Sequence, residues 1–184
     1  SGMGYAAAQA GIVRGIQRAR AECGIEGRLI AAVDREASPA DALQVAHGLI
    51  EADGGRDAHI VHVGDLIDRG PASREVIDYL MNGQAQGRNW QVVKGNHDHK
   101  LPRFMEDPGW IDPGPSTAIT WLDDERNGAA ATLESYGVMD AGNRPLEGVH
   151  AEALRKIPRH HVEWLDGLVP NILHPGGFLF VHAG

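Results

Sequence analysis

The chain has 184 residues, which is enough for one domain with a real hydrophobic core and marginal for two. It carries 17 Lys and Arg residues against 25 Asp and Glu residues, and the formal net charge of −8 argues against a nucleic-acid binder with a broad basic face. Cys23 is the only cysteine, which excludes an intrachain disulfide and suits a reducing cytosol. No apolar run approaches the roughly 18 residues of a membrane span, so we expect a cytoplasmic protein without a membrane partner.

The first part of the chain predicts a helix, a strand and a second helix. The apolar spacing in residues 6–22 is typical of an amphipathic helix, and the apolar run at 28–33 is typical of a buried strand. A second helix is predicted to begin at Pro39, a residue type favoured at the first helical position, and to end at Gly54.

The remainder of the chain continues the alternation of strands and helices. The predicted elements are a strand at 58–63, a helix at 71–81, a strand at 90–94, short helices and turns over 99–170, and a closing strand that ends in His182. This order favours an α/β fold, a layered sheet flanked by helices, in a single domain spanning residues 1–184. Ligands of such folds bind outside the carboxyl ends of the strands.

Four predicted strand ends carry side chains of the types that bind metals. They are Asp34, Asp65, Asn96 with its neighbour His97, and His182. Carboxylate, amide and imidazole groups together form a mixed oxygen and nitrogen ligand set. The sequence therefore predicts a metal site at one edge of the sheet.

The segment GDLIDRG at 64–70 is the most specific of these strand ends. Asp65 follows the strand and can face a metal, Asp68 lies three residues further on, and the planar guanidinium of Arg69 suits a phosphoryl group. The segment GNHDH at 95–99 adds His97, a side chain that can exchange a proton near neutral pH.

The segments GDLIDRG, GNHDH and FVHAG together closely resemble motifs of the calcineurin-like metallophosphoesterases. The nearest match is the bacterial branch of the phosphoprotein phosphatases, with its diadenosine-tetraphosphatase relatives, and it covers about residues 47–184. The resemblance implies metal-dependent hydrolysis of phosphate esters. The implied substrate is a phosphoprotein or a nucleotide-type phosphate; the oligomeric state stays open.

The resemblance also implies roles for the metal-binding residues. Asp65 would bridge two divalent metal ions, and Asn96 and His182 would hold the second ion. A water or hydroxide between the two ions would attack phosphorus in line. Manganese is our first choice for the metal, and iron or zinc would also fit the ligand set.

The remaining implied roles concern the phosphoryl group and the proton. By the resemblance, His97 would protonate the leaving oxygen and Asp68 would orient the imidazole ring of His97. Arg69 would clamp the phosphoryl group, and Asn96 would contact the substrate as well as the metal.

Two blocks of the family pattern differ in this chain. The first block, Asp-x-His, aligns with Asp34 and Glu36, so a carboxylate, a harder and more anionic ligand, stands where the family has histidine. The last block, Gly-His, does not follow His182 within the 184 residues. The resemblance therefore implies that the C-terminal part of the family fold is missing and that the second metal lacks one imidazole.

Residues 5–47 carry a second resemblance, to an internal helix–strand–helix piece of the adenosine deaminase family. No metal-ligand motif of that family occurs in this stretch, so no site residue is transferred. A chimeric chain is one hypothesis, and divergence of a phosphatase is the other. The alternative function is accordingly a non-catalytic or chimeric phosphatase-like scaffold with an incomplete metal site.

Two histidines outside these motifs, His160 and His161, are predicted to lie on an exposed helix turn. The four tryptophans are predicted to pack in the core or in a lid.

Overall fold

The computed structural model describes residues 39–113 and 119–182. The predicted helix at 6–22, the predicted strand at 28–33, and the candidate ligands Asp34 and Glu36 lie outside the described residues.

The described chain combines helices with small sheets of short strands, which confirms the predicted α/β class. No helix in these two ranges is both long and apolar enough to cross a bilayer. In chain order the elements are α1 (Pro39–Gly54), β1 (Ile60–His62), α2 (Ser73–Ala85), β2 (Trp90–Val92), α3 (Lys100–Glu106), α4 (Ala129–Ser135), a 3-10 turn (Ala141–Asn143), α5 (Leu146–Lys156), α6 (Arg159–Asp166), β3 (Asn171–Leu173) and β4 (Leu179–Val181).

The described strands form a parallel pair and an antiparallel hairpin. In the parallel pair, Val61 of β1 lies opposite Gln91 of β2, and in the hairpin Ile172 of β3 lies opposite Phe180 of β4. Parallel strands end at the same edge of a sheet, so the loops that follow β1 and β2 meet there. The sequence did not predict β3, because three residues between Pro170 and His174 are too short to show a strand pattern.

Two apolar clusters hold the helices against the strands. The larger one lies among α2, α3, α4 and α6, where Ile77, Leu101, Leu133 and Leu165 are fully buried. The smaller one lies against β1 and β2 and contains Ile60, Val76, Leu80, Trp90 and Val92. These clusters fix the strands from which the site loops emerge.

His161 does not lie on an exposed turn, so that prediction was wrong for this residue. Its ring is 1% exposed, and it bridges α2 to the segment after α4. The Nε2 atom lies 3.0 Å from Asp78 Oδ1, and the Nδ1 atom lies 3.0 Å from the Tyr136 hydroxyl. Because a polar neighbour satisfies each ring nitrogen, the imidazole can be buried. His160 is exposed, as predicted.

A second group of histidines joins α1 to the parallel strands. The Tyr79 hydroxyl lies 3.1 Å from His47 Nδ1, and His47 Nε2 lies 3.2 Å from His62 Nε2. Trp90 packs edge-on against His47, with ring centroids 4.2 Å apart. Burial lowers the pKa of His62 from 6.5 to about 4, and the neighbouring His47 acts in the same direction.

The lowered pKa of His62 predicts a loss of stability in mild acid. Between pH 6.5 and about 4 the unfolded chain binds a proton that the folded chain rejects, so stability falls as the pH falls through this range. From pH 8 to pH 5 this amounts to about 2 kcal/mol. In urea unfolding, the His62→Gln variant should lose less stability between pH 8 and pH 5 than the unsubstituted chain, by about 2 kcal/mol. The exposed control His160→Gln should follow the unsubstituted chain, and an unchanged pH dependence in His62→Gln would contradict the assignment.

Candidate metal centre

The loops after β1 and β2 touch through two glycines. A Cβ atom on Gly64 would lie 2.4 Å from the backbone nitrogen of Gly95, and one on Gly95 would lie 2.3 Å from the backbone nitrogen of Asp65. Gly64 also has a φ of +84°, a conformation that L side chains rarely adopt. Glycine at both positions is therefore what allows the two loops to approach.

The carboxylate of Asp98 ties these loops together. It is fully buried and accepts three backbone N–H groups, from Asp65 at 3.0 Å, from Leu66 at 2.8 Å and from Gly95 at 2.7 Å. Burial raises the pKa of the Asp98 carboxyl, and the three N–H donors oppose that rise. Sequence reasoning assigned no role to Asp98, although it lies inside the GNHDH segment directly after His97.

Three of the residues predicted as metal ligands come together at this edge. His182 Nε2 lies 3.0 Å from Asn96 Oδ1 and 3.3 Å from Asp65 Oδ2. His182 Nδ1 lies 2.6 Å from the carbonyl oxygen of Val63 and donates its proton there. That hydrogen bond fixes the ring tautomer and leaves the lone pair of Nε2 directed at the other two side chains.

This donor set fits a divalent metal ion. With Nδ1 of neutral His182 donating to Val63, the three facing atoms all carry lone pairs and have no proton between them. Adjacent ligands of an octahedral ion with bonds of about 2.1 Å lie about 3 Å apart, close to the spacing here. Within the described ranges no three His, Cys, Asp or Glu side chains gather into a metal site, and the amide of Asn96 is what completes this set.

The imidazole of His97 is held by Asp68 on the other side of the same loops. His97 Nδ1 lies 2.5 Å from Asp68 Oδ2, and both side chains are buried. Asp68 Oδ2 also accepts the indole N–H of Trp121 at 3.0 Å, and Asp68 Oδ1 accepts the Thr132 hydroxyl at 3.0 Å. The sequence carried no signal for Trp121 or Thr132, because they lie more than 50 residues from Asp68.

The segment that supplies the acidic side chains has an unusual backbone. Asp65, Asp68 and Arg69 have φ angles of 56°, 76° and 62°, in the left-handed region where non-glycine residues are strained. Gly128 lies against this segment, since a Cβ there would be 2.5 Å from the Arg69 nitrogen. Strained residues of this kind persist only where the surroundings fix them, and they are common at functional sites.

A cavity of about 320 Å³, which we call the site cavity, opens beside His97. Arg69 lies at its edge, with Nη2 3.2 Å from His97 Nε2. The guanidinium donates to this ring nitrogen, so in this arrangement Nδ1 carries the imidazole proton and faces Asp68. The lining of the site cavity includes Arg69, Asn96, His97, Lys100, Trp121 and Asn127.

Comparison with protein-family models gives a match over most of the chain. The family model described as calcineurin-like phosphoesterase matches residues 35–184, a start 12 residues earlier than the predicted start at residue 47. A search among curated proteins found no match. The matched range contains Asp65, Asn96 and His182, as well as His97.

The three hydrogen bonds to Asp98 predict a large effect of a nearly isosteric change. In Asp98→Asn the amide nitrogen would face at least one buried backbone N–H, so we expect the free energy of unfolding to fall by about 2–3 kcal/mol. Urea unfolding measures this loss. The matched control is Asp107→Asn, in which an exposed carboxylate accepts a single N–H from Gly109, and it should cost well under about 1 kcal/mol. Equal losses in the two variants would contradict the role of Asp98.

Proposed function

We propose, because the chain belongs to the calcineurin-like phosphoesterase family, that it hydrolyses phosphate esters at the loops after β1 and β2. Membership of this family supports metal-dependent hydrolysis of phosphoesters in general. We place it in the bacterial phosphoprotein phosphatase branch, acting either as a serine/threonine phosphatase-like enzyme or as a diadenosine-tetraphosphatase-like enzyme. The supporting sequence features are the segments GDLIDRG and GNHDH.

The observation that carries the proposal is the convergence of Asp65, Asn96 and His182. Asn96 Oδ1 lies 3.0 Å and Asp65 Oδ2 lies 3.3 Å from His182 Nε2, although the three residues come from separate parts of the chain. We propose that these side chains would hold divalent metal ions. A bound metal pair would lower the pKa of water and neutralise charge on the phosphoryl oxygens. Manganese is the first metal to test.

Arg69 and His97 would act on the substrate from the side of the site cavity. A phosphoryl group offers the Arg69 guanidinium stronger acceptors than the imidazole nitrogen that it now contacts at 3.2 Å. When the guanidinium turns to the phosphoryl oxygens, His97 Nε2 is free to take up a proton and pass it to the leaving oxygen. Asp68 would stabilise the imidazolium through Nδ1–H, and Trp121 and Thr132 would keep Asp68 in position.

Two substitutions separate metal binding from proton transfer. Asp65→Asn should lower the bound manganese, measured by elemental analysis after gel filtration, and should abolish hydrolysis of 4-nitrophenyl phosphate. His97→Asn should keep the metal content and lower kcat by roughly 10²–10⁴-fold, the range that general acid catalysis contributes. A loss of metal in both variants, or hydrolysis that persists in Asp65→Asn, would contradict these roles.

A third substitution tests the support given to Asp68. Trp121→Phe removes the indole N–H that Asp68 accepts at 3.0 Å and keeps an aromatic ring in the core. We expect a fall of about tenfold in kcat with unchanged metal content, because Asp68 would hold the imidazole less firmly. An unchanged kcat would show that the indole only packs. Unsubstituted protein that neither binds metal nor hydrolyses the ester would favour the alternative of a non-catalytic scaffold.

A further inference from the structure

The site cavity contains a lysine in an unusual environment. Lys100 is only 8% exposed, and lysine is seldom buried unless an anion accompanies it. Its Nζ atom donates to Asn127 Oδ1 at 2.6 Å, and an amide oxygen carries no charge. Among residues 39–113 and 119–182, no carboxylate lies within ion-pairing distance of Nζ. Lys100 helps to lower the pKa of the Asp124 carboxyl, but the main partner of Asp124 is Arg126. The ammonium group therefore lines the cavity without a close ion pair of its own among the described residues.

The other charged side chains near Lys100 are already paired. Arg126 binds both oxygens of Asp124, at 2.8 and 2.9 Å, so this pair adds little net charge. Asp112 lies 3.5 Å from the imidazole of His99, but burial lowers the pKa of His99, so Asp112 keeps a negative charge on the cavity lining. The positive charge on the cavity lining therefore comes mainly from Lys100 and from Arg69, which contacts only an imidazole.

The position of Lys100 connects it to the residues that would act on phosphorus. Its backbone nitrogen donates to the carbonyl oxygen of His97 at 2.9 Å, and both side chains line the same cavity. An anionic group bound at Lys100 would thus belong to the molecule whose phosphoryl group meets Arg69 and His97. The cavity volume of about 320 Å³ is at the small end of the range for ligand pockets, which favours a small molecule over a folded protein segment.

We propose that Lys100, oriented by Asn127, binds a second phosphoryl group carried by the leaving part of the substrate. The preferred substrate class is then a small molecule with two neighbouring phosphoryl groups, joined as an anhydride or carried on one short carbon frame. This inference rests on the proposed function, because it takes the phosphoryl group at Arg69 as the one that reacts. Within that function it favours small phosphorylated molecules over phosphoproteins.

Binding of two non-hydrolysable ligands tests the proposal directly. Methylenediphosphonate carries two phosphoryl groups, and methylphosphonate carries one. Both are titrated calorimetrically into the protein in buffer that holds free Mn²⁺ constant. We expect the unsubstituted protein to prefer the diphosphonate by at least about tenfold in Kd, the effect of one additional charge-assisted hydrogen bond. An equal affinity for the two ligands would overturn the proposal.

Two variants assign the preference to Lys100 by different routes. Lys100→Met removes the ammonium group and keeps an apolar side chain of similar length. Asn127→Asp keeps the lysine but places a carboxylate against Nζ, so it remains informative if Lys100→Met does not fold. Each should reduce the preference for the diphosphonate to within about threefold of unity. The matched control Lys156→Met removes an exposed lysine outside the cavity and should retain the full preference.

The outcomes separate this inference from the proposed function. A preference that survives in both Lys100→Met and Asn127→Asp would overturn the role of Lys100, whatever the protein hydrolyses. A peptide with a single phosphoserine that binds as tightly as the diphosphonate would overturn the substrate class. Hydrolysis of 4-nitrophenyl phosphate is measured separately, so a protein that shows the preference without hydrolysis would keep the anion site and lose the proposed function.

Discussion

The Asp98 carboxylate accepts hydrogen bonds from the backbone N–H groups of Asp65, Leu66 and Gly95, and so ties the loop after β1 to the loop after β2. Gly64 and Gly95 allow the contact, because a Cβ atom at either position would collide with the opposite loop. Every side chain proposed to act on the phosphoryl group lies on these two loops or next to them. The arrangement of the site therefore depends on one buried anion whose hydrogen bonds are all to the backbone.

The loop after β1 serves both sides of the site. Asp65 faces His182 and Asn96, whereas Asp68, three residues later, faces His97. Left-handed backbone conformations at Asp65 and Asp68 separate the two carboxylates in this way. Such conformations cost roughly 1 kcal/mol or more each, and the surrounding hydrogen bonds offset that cost. Asp65 and Asp68 thus combine a strained backbone with different partners, His182 for Asp65 and His97 for Asp68.

Local patterns in the sequence predicted much of this arrangement. The strand–helix alternation was sufficient for the α/β class, and strand ends followed by Asp65 and Asn96 predicted where ligands would gather. Contacts made across long stretches of chain were not predictable, because no pattern links Trp121 or Thr132 to Asp68. Lys100 also went unnoticed, since a lysine after GNHDH looks like an ordinary helix start, and only its burial makes it unusual. The predicted ligands Asp34 and Glu36 stay predictions.

We propose that Asp65, Asn96 and His182 bind metal together. A crystal structure of the protein soaked in Mn²⁺, with anomalous diffraction measured near the manganese absorption edge, tests it most directly. We predict an anomalous peak within about 2.0–2.3 Å of Asp65 Oδ2, Asn96 Oδ1 and His182 Nε2. A peak elsewhere on the protein, or none at this position at saturating manganese, would contradict the claim.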